Sequence, residues 1–195
     1  MIPFIDLQAQ RRRLGADLTK AISDAVEGGQ WIMGPQVATL EAQLAEFAGV
    51  KHAIACANGT DALLIVLRAW NIGLGDAVFV PAFTFAASAE VVALVGASPV
   101  FVDVLEDTFN IDPQSLEAAI AMVKREGKLK PRAVMPVDLF GQTADYRVLE
   151  PIIRRENLKM LCDAAQGFGG LLDGRRSGGI GDAAATSFFP AKPLG

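Results

Sequence analysis

The stretch "AVFVPAFTFAASAEVVALVGASPVFVDV" (77–104) decides the fold. "AVFVP" (77–81) is a short apolar strand stopped by proline, residues 86–95 read as a helix ended by Gly96, and "PVFVDV" (99–104) is a second strand. Strand, helix and strand in succession form a βαβ unit. Its crossover is right-handed, which sets the two strands parallel and lays the helix on one face of the sheet.

The alternation continues on both sides. Before it, "HAIACA" (52–57) is strand-like and residues 61–70 are an apolar helix. After it, "DPQSLEAAIAMVK" (112–124) starts with Asp as cap and Pro at the first helical position, a strong N-terminal signal. "AVMPV" (133–137) is a strand, 145–156 a helix, "LKMLCD" (158–163) a strand and "AAATSFF" (183–189) another. The expected fold class is α/β, a mostly parallel sheet flanked by helices. Ahead of it, residues 14–28 put Leu14, Leu18, Ala21, Ile22 and Ala25 on one helical stripe, "EGGQWIMGP" (27–35) breaks the helix, and a second helix covers 36–48. The expected division is an N-terminal helical segment, 1–50, and a large domain, 51–195.

Composition narrows the function classes. The 195 residues are 51% hydrophobic and 21% charged, enough for a substantial core. Mean hydropathy is +0.32, raised by alanine and valine runs that suit strands covered on both faces. No apolar stretch reaches the roughly 18 residues of a membrane span. The start, "MIPFIDLQAQRRR", carries its charge after the apolar patch, the reverse of a signal peptide. Cys56 and Cys162 lie in strand-like runs and read as buried free thiols, which places the chain in a reducing cytoplasm. Net charge is -4 and Arg11, Arg12 and Arg13 are the sole basic cluster, so neither nucleic acid nor membrane is an expected partner. One histidine, His52, and two strand cysteines leave almost no material for a metal site.

In open parallel sheets ligands bind beyond the carboxyl ends of the strands, so the residues there carry the functional reading. "ANGTDALL" (57–64) offers a tight turn at Gly59 and a helix start at Thr60 and Asp61. Such a start cradles phosphate, although the same residues make an ordinary capped turn. In "PAFTFAAS" (81–88), Phe83 and Phe85 alternate at a strand exit. Each serves either core packing or a flat ligand face. In "CDAAQGFGG" (162–170), Asp163 closes an apolar run. It is either a cap or a carboxylate awaiting a cationic partner such as a protonated ring nitrogen, with Gln166 placed to donate to a ring oxygen. In "TSFFPAKPLG" (186–195), Ser187 is a second phosphate donor and Lys192 stands between prolines. Lys192 is either a surface charge or an amine nucleophile. Taken together these are the parts that hold pyridoxal 5'-phosphate, PLP.

Several of these segments, "ANGTDAL", "VPAFTF", "VALVGASPVFVDV", "FNIDP", "LFGQTADY", "DAAQ" and "TSFFPAKPLG", resemble the DegT/StrS family of PLP-dependent sugar aminotransferases of fold type I. The resemblance runs from "FIDLQAQ" (4–10) to Gly195. It implies that Lys192 joins the cofactor as a Schiff base and that Asp163 partners the pyridine nitrogen. It also implies that Gln166 lies near the ring oxygen, that Phe85 stacks on the ring, and that Gly59, Thr60, Asp61 and Ser187 bind phosphate, Asp61 chiefly through its backbone N–H. The implied reaction moves an amino group from a donor, usually glutamate, to a keto sugar linked to a nucleotide, with Lys192 as proton carrier. Phe168 and Pro193 resemble the branch that aminates UDP-2-acetamido-2-deoxy-3-oxo-glucuronate for lipopolysaccharide. Trp31 and Met33 fall in a loop that borders the substrate in that family. An inosose or another deoxysugar is the alternative ketone. Relatives are homodimers and continue past the lysine with a further strand and a small domain. The resemblance therefore implies an N-terminal fragment, self-associating and weakly active or inactive on its own.

Overall fold

The structure, a computed structural model, describes residues 5–195. Residues 1–4, the apolar start set against a signal peptide, lie outside the described residues. The chain divides into two units, one ending at Ala55 and one running from Cys56 to Gly195.

The first unit is helical. Helix α1 (Leu7–Gly28) starts earlier than the apolar stripe indicates, because the Asp6 side chain caps it by accepting from the Ala9 N–H at 2.9 Å. Gly15, at φ 60°, interrupts it. Helix α2 (Pro35–Ala48) opens on proline and closes on Gly49 in the left-handed region. Of the predicted stripe, Leu14, Ala21 and Ile22 are exposed and Leu18 and Ala25 half-buried, with Gly15 breaking the helix just after Leu14; Val26, outside the stripe, is exposed as well.

The second unit follows the alternation closely: α3 (Gly59–Ala69), β1 (Asp76–Pro81), α4 (Ala87–Leu94), β2 (Ser98–Val102), α5 (Pro113–Glu126), β3 (Lys130–Val134), α6 (Tyr146–Arg155) and β4 (Lys159–Asp163). A short pair, β5 (Leu171–Leu172) and β6 (Arg175–Arg176), and then β7 (Ala183–Ala185) complete it. The main sheet has the order β2-β1-β3-β4-β7 and every pairing in it is parallel. All six residues of β1 are buried, as a central strand covered on both faces requires. Its side chains alternate between two cores. Ala77 and Phe79 join Leu116, Tyr146 and Leu149 on one face, while Val78 and Val80 join Leu67, Val91 and Leu161 on the other.

Three sequence expectations need correction. Residues 52–57 form no strand: no described strand takes their N–H and C=O groups, and a strand exists through its partner. Cys56 is consequently exposed, while Cys162, on β4, is buried as expected; both thiols are free. The last strand stops at Ala185 instead of 189, and the segment holding Ser187 and Lys192 is irregular. The β5–β6 hairpin went unread, although "LLDGRR" carries the Asp-Gly signal. Asp173 and Gly174 turn it with φ of 50° and 77°.

Candidate active site

Asp163 ends β4 at the carboxyl edge of the sheet, next to β7 through the Asp163–Ala185 register. Its side chain is buried. Oδ2 accepts from the Ser88 hydroxyl at 2.8 Å and Oδ1 from the Ala165 N–H at 3.2 Å. Burial pushes its carboxyl above the ordinary range; the Ser88 and Ala165 donors and the charge of Lys192 pull the other way without cancelling it. A buried carboxylate with only two donors asks for a cation.

Gly59 and Ser187 meet beside α3. A Cβ built on Gly59 would lie 3.0 Å from Ser187 Cβ, 3.2 Å from the Thr186 carbonyl oxygen and 3.4 Å from Ser187 Oγ. A side chain at 59 would fit only if Ser187 gave way by a few tenths of an ångström. Ser187 Oγ accepts from the Phe189 N–H at 3.3 Å, which leaves its own proton to donate. Asn58 caps α3, accepting the Asp61 N–H at 2.8 Å and donating to Asp61 Oδ2 at 3.0 Å. That is a departure from expectation for Asp61, whose N–H is already engaged. The N–H groups of Gly59 and Thr60 stand in the first turn of α3, where no intrahelical acceptor exists. α3 packs toward β7, since Leu63, Leu67 and Ala185 share one core.

Lys192 lies in the turn closed by its N–H donating to the Phe189 carbonyl at 2.8 Å. Its Nζ stands 6.0 Å from the centroid of the exposed Phe85 ring. Lys192 therefore stands by the Phe85 ring, and its charge is the weakest of the influences that lower the Asp163 carboxyl. The Gln166 amide has its Oε1 buried with no hydrogen-bond partner. A buried polar atom of this kind calls for a group not supplied by the chain.

Phe83 is exposed and stacks away from the core, in a cluster with Phe109 and Phe140 at centroid distances of 5.4 and 6.4 Å. Trp31 and Met33 belong to the first unit, whereas every other candidate belongs to the second. Both are exposed, and the Trp31 indole donates to the Ala25 carbonyl at 3.2 Å.

Sequence reading missed Ser88, Asn58 and Asp138. Ser88 sits in an alanine-rich helix, and nothing local marks it as the partner of Asp163. Asn58 was legible as a helix cap preceding Gly59. Asp138 was legible by the rule that singled out Asp163: in "VMPVD", as in "KMLCD", an aspartate closes an apolar run at a strand exit.

With these features in place, the chain belongs to the DegT/DnrJ/EryC1/StrS aminotransferase family, whose pattern matches residues 12–195. It is 47% identical over 195 residues to the UDP-2-acetamido-2-deoxy-3-oxo-D-glucuronate aminotransferase of Pseudomonas aeruginosa, covering all of this chain and 52% of that one. The crystal structure of a DegT DnrJ EryC1 StrS aminotransferase from Brucella abortus superposes with a TM-score of 0.98 at 55% identity, over 100% of this chain and 52% of that one. The structure of NtdA from Bacillus subtilis with bound cofactor PMP superposes with a TM-score of 0.88 at 31% identity, over 100% and 42% of the two chains. The chain spans about half the length of the curated relatives it matches.

Proposed function

We propose that the second unit holds PLP and that the chain serves in the transfer of an amino group, from a donor such as glutamate, to a keto group of a nucleotide-linked sugar. The observation that carries this reading is Asp163, a buried carboxylate at a strand's end held by only two donors, from Ser88 and Ala165. The residues fit the cofactor. Gly59 N–H, Thr60 and Ser187 would take its phosphate, Gln166 its ring oxygen, Asp163 its ring nitrogen and Phe85 its face, while Lys192 would hold its aldehyde end. The Gly59–Ser187 approach supports the assignment independently of the lysine.

PLP, when bound, supplies an electron sink for breaking a bond at the Cα of an amino acid. Asp163 would hold a proton on the ring nitrogen by hydrogen bonding to it and by its charge. Lys192 Nζ would serve as the general base and acid that carries a proton between the donor's Cα and the product. The Ser88 hydroxyl orients Asp163 for that task.

The substrate we propose is the UDP-linked 3-keto glucuronate named for the Pseudomonas relative, on a route to lipopolysaccharide or another glycan, with Trp31 and Met33 as sugar contacts. A cytoplasmic location fits the two free thiols. Among the described residues no helix is long and apolar enough to cross a membrane. We also propose homo-oligomers, supported by the uncovered Leu14, Ile22 and Val26 of α1 and by the exposed Phe83, Phe109 and Phe140 cluster. The test of function is spectroscopic. Adding PLP is expected to raise a visible absorption band that Lys192→Ala abolishes, and keto-sugar amination in the full chain follows. A chain that never develops the band would overturn the reading.

A further inference from the structure

The most constrained group outside the residues assigned so far is a second carboxylate. Asp138 follows β3 and is fully buried. It is tied to Asp163 through the backbone: the Asp138 N–H donates to the Asp163 carbonyl at 3.0 Å, and the Asp163 N–H donates to the Pro136 carbonyl at 2.9 Å. A lone parallel bridge, Val137 to Asp163, marks the same contact. The Asp138 side chain points into a cage of donors. Oδ1 accepts from the Ala144 N–H at 3.0 Å and the Tyr146 hydroxyl at 2.6 Å, and Oδ2 accepts from the Ser177 hydroxyl. Gly167, next to Gln166, is pressed against it: a Cβ there would lie 2.8 Å from both Asp138 Cβ and Oδ2. Asp138 thus braces β4, the start of α6, the β6 exit and the Gln166 loop at one point.

We infer that Asp138 is a positioning residue for Asp163, a pinned second negative charge that strengthens the demand of this corner of the site for an N-protonated heteroaromatic ring. The inference rests on the PLP reading above and extends it to a residue that does not touch the ring. Its physical content is simple. A cation beside Asp163 also feels any ionised carboxylate braced behind it, and a carboxylate held by three donors cannot swing away to escape the repulsion. Burial pushes the Asp138 carboxyl up, the Ser177, Tyr146 and Ala144 donors pull it down, and Asp163 pushes it up again. The push from Asp163 is the weakest of these influences on Asp138, and a cationic ring nitrogen beside Asp163 would relieve it. Burial also keeps the Tyr146 hydroxyl well above its ordinary pKa, so it remains a donor. Asn fits the same cage: its Oδ1 keeps the Ala144 and Tyr146 donors, and the Ser177 hydroxyl reverses to accept from its amide.

The test separates charge from structure by comparing PLP with its 1-deaza analogue, in which C–H replaces the ring nitrogen. Dissociation constants for both are measured in the full chain for wild type, Asp138→Asn and Asp163→Asn. Wild type is expected to prefer PLP, and Asp163→Asn to lose most of that preference. Asp138→Asn is expected to cut the preference about three- to tenfold while leaving affinity for the deaza analogue unchanged. Equal weakening of both ligands, or an unchanged preference, would show Asp138 to be structural only and overturn the inference. If wild type binds neither ligand, the PLP reading itself falls and this inference falls with it. Should Asp138→Asn fail to fold, Tyr146→Phe serves instead. It removes the 2.6 Å donor, so Asp138 gains its proton at higher pH and the preference for PLP is lost earlier on acidification than in wild type. The groups facing the pair are Tyr146 from α6, Cys162 from β4, Ser177 after β6 and Lys192. A preference whose pH dependence matches wild type would again count against the inference.

Discussion

The Ser88 hydroxyl donates to Asp163 Oδ2 across 2.8 Å and 75 positions of sequence. One end is an α4 residue with no exposed surface, and the other is the carboxylate that closes β4. The bond is charge-assisted and buried, so it is stronger than a neutral surface bond. Ser88→Ala is expected to destabilise the chain by about 1.5–3 kcal/mol. The same change in an Asp163→Asn background is expected to cost clearly less, because no carboxylate is then left short of a donor. Urea unfolding of the four proteins measures that coupling. Additive losses would show that Ser88 acts on packing alone.

What could be read from sequence follows the range of the forces involved. The parallel sheet was legible because β1 and its neighbours declare themselves through local hydrophobic runs and terminators such as Pro81 and Gly96. Lys192 stands out in the sequence because Pro190 and Pro193 frame it, and that signal is local. Ser88 does not stand out, since its role is created by α4 folding back over β4. Residues 52–57 were misread for the complementary reason: their composition is that of a strand, but pairing is a property of two segments, and no described strand pairs with this one.

Asp163 also sets a pH dependence. Burial raises its folded pKa above the ordinary 3.8, so between that value and the raised one the folded chain holds a proton that the unfolded chain has released. Folded stability contributed by this group therefore falls as pH rises through that window. Asp163→Asn is expected to remove the effect and make the cofactor-free chain more stable than wild type at neutral pH, while nearly abolishing amino transfer in the full chain. Thermal unfolding of both proteins at several pH values gives the difference curve. A difference that is flat with pH, or a variant that keeps normal turnover, would contradict the assigned role.

Gly59 offers a cleaner separation of binding from folding. It opens α3 without a left-handed φ, so alanine is acceptable to the backbone there. The obstacle is Ser187, whose Cβ would sit 3.0 Å from the new methyl group. Gly59→Ala is expected to change stability by less than about 1 kcal/mol. It is expected to weaken PLP binding about tenfold or more, a loss of 1.4 kcal/mol or above. Titration with PLP and with inorganic phosphate tests the cradle directly. Unchanged affinities would mean that the Gly59–Ser187 corner is ordinary packing.

The cofactor lysine can be identified chemically. Lys192 is expected to be the one lysine labelled when the PLP-loaded chain is treated with borohydride. The argument is one of placement. Lys192 faces Phe85 at 6.0 Å and its charge reaches Asp163, both at the carboxyl end of the sheet. Lys159 starts β4, at the opposite end of the strand from Asp163, pairs with Asp182 at 3.2 Å and stands 5.8 Å over the Trp70 ring. Lys124 is paired with Glu156, and Lys20 with Asp24 at 2.6 Å, on helical surfaces. Lys51 belongs to the first unit. Peptide mapping should therefore return the segment around "FFPAKPLG", and Lys192→Ala should carry no label. That variant should still bind PLP weakly and reversibly, because Gly59, Thr60 and Ser187 remain to take the phosphate. A label on Lys159 or Lys51 in the wild type would remove Lys192 from its assigned role and, with it, the reading of Asp163 as the partner of a ring held from the other side.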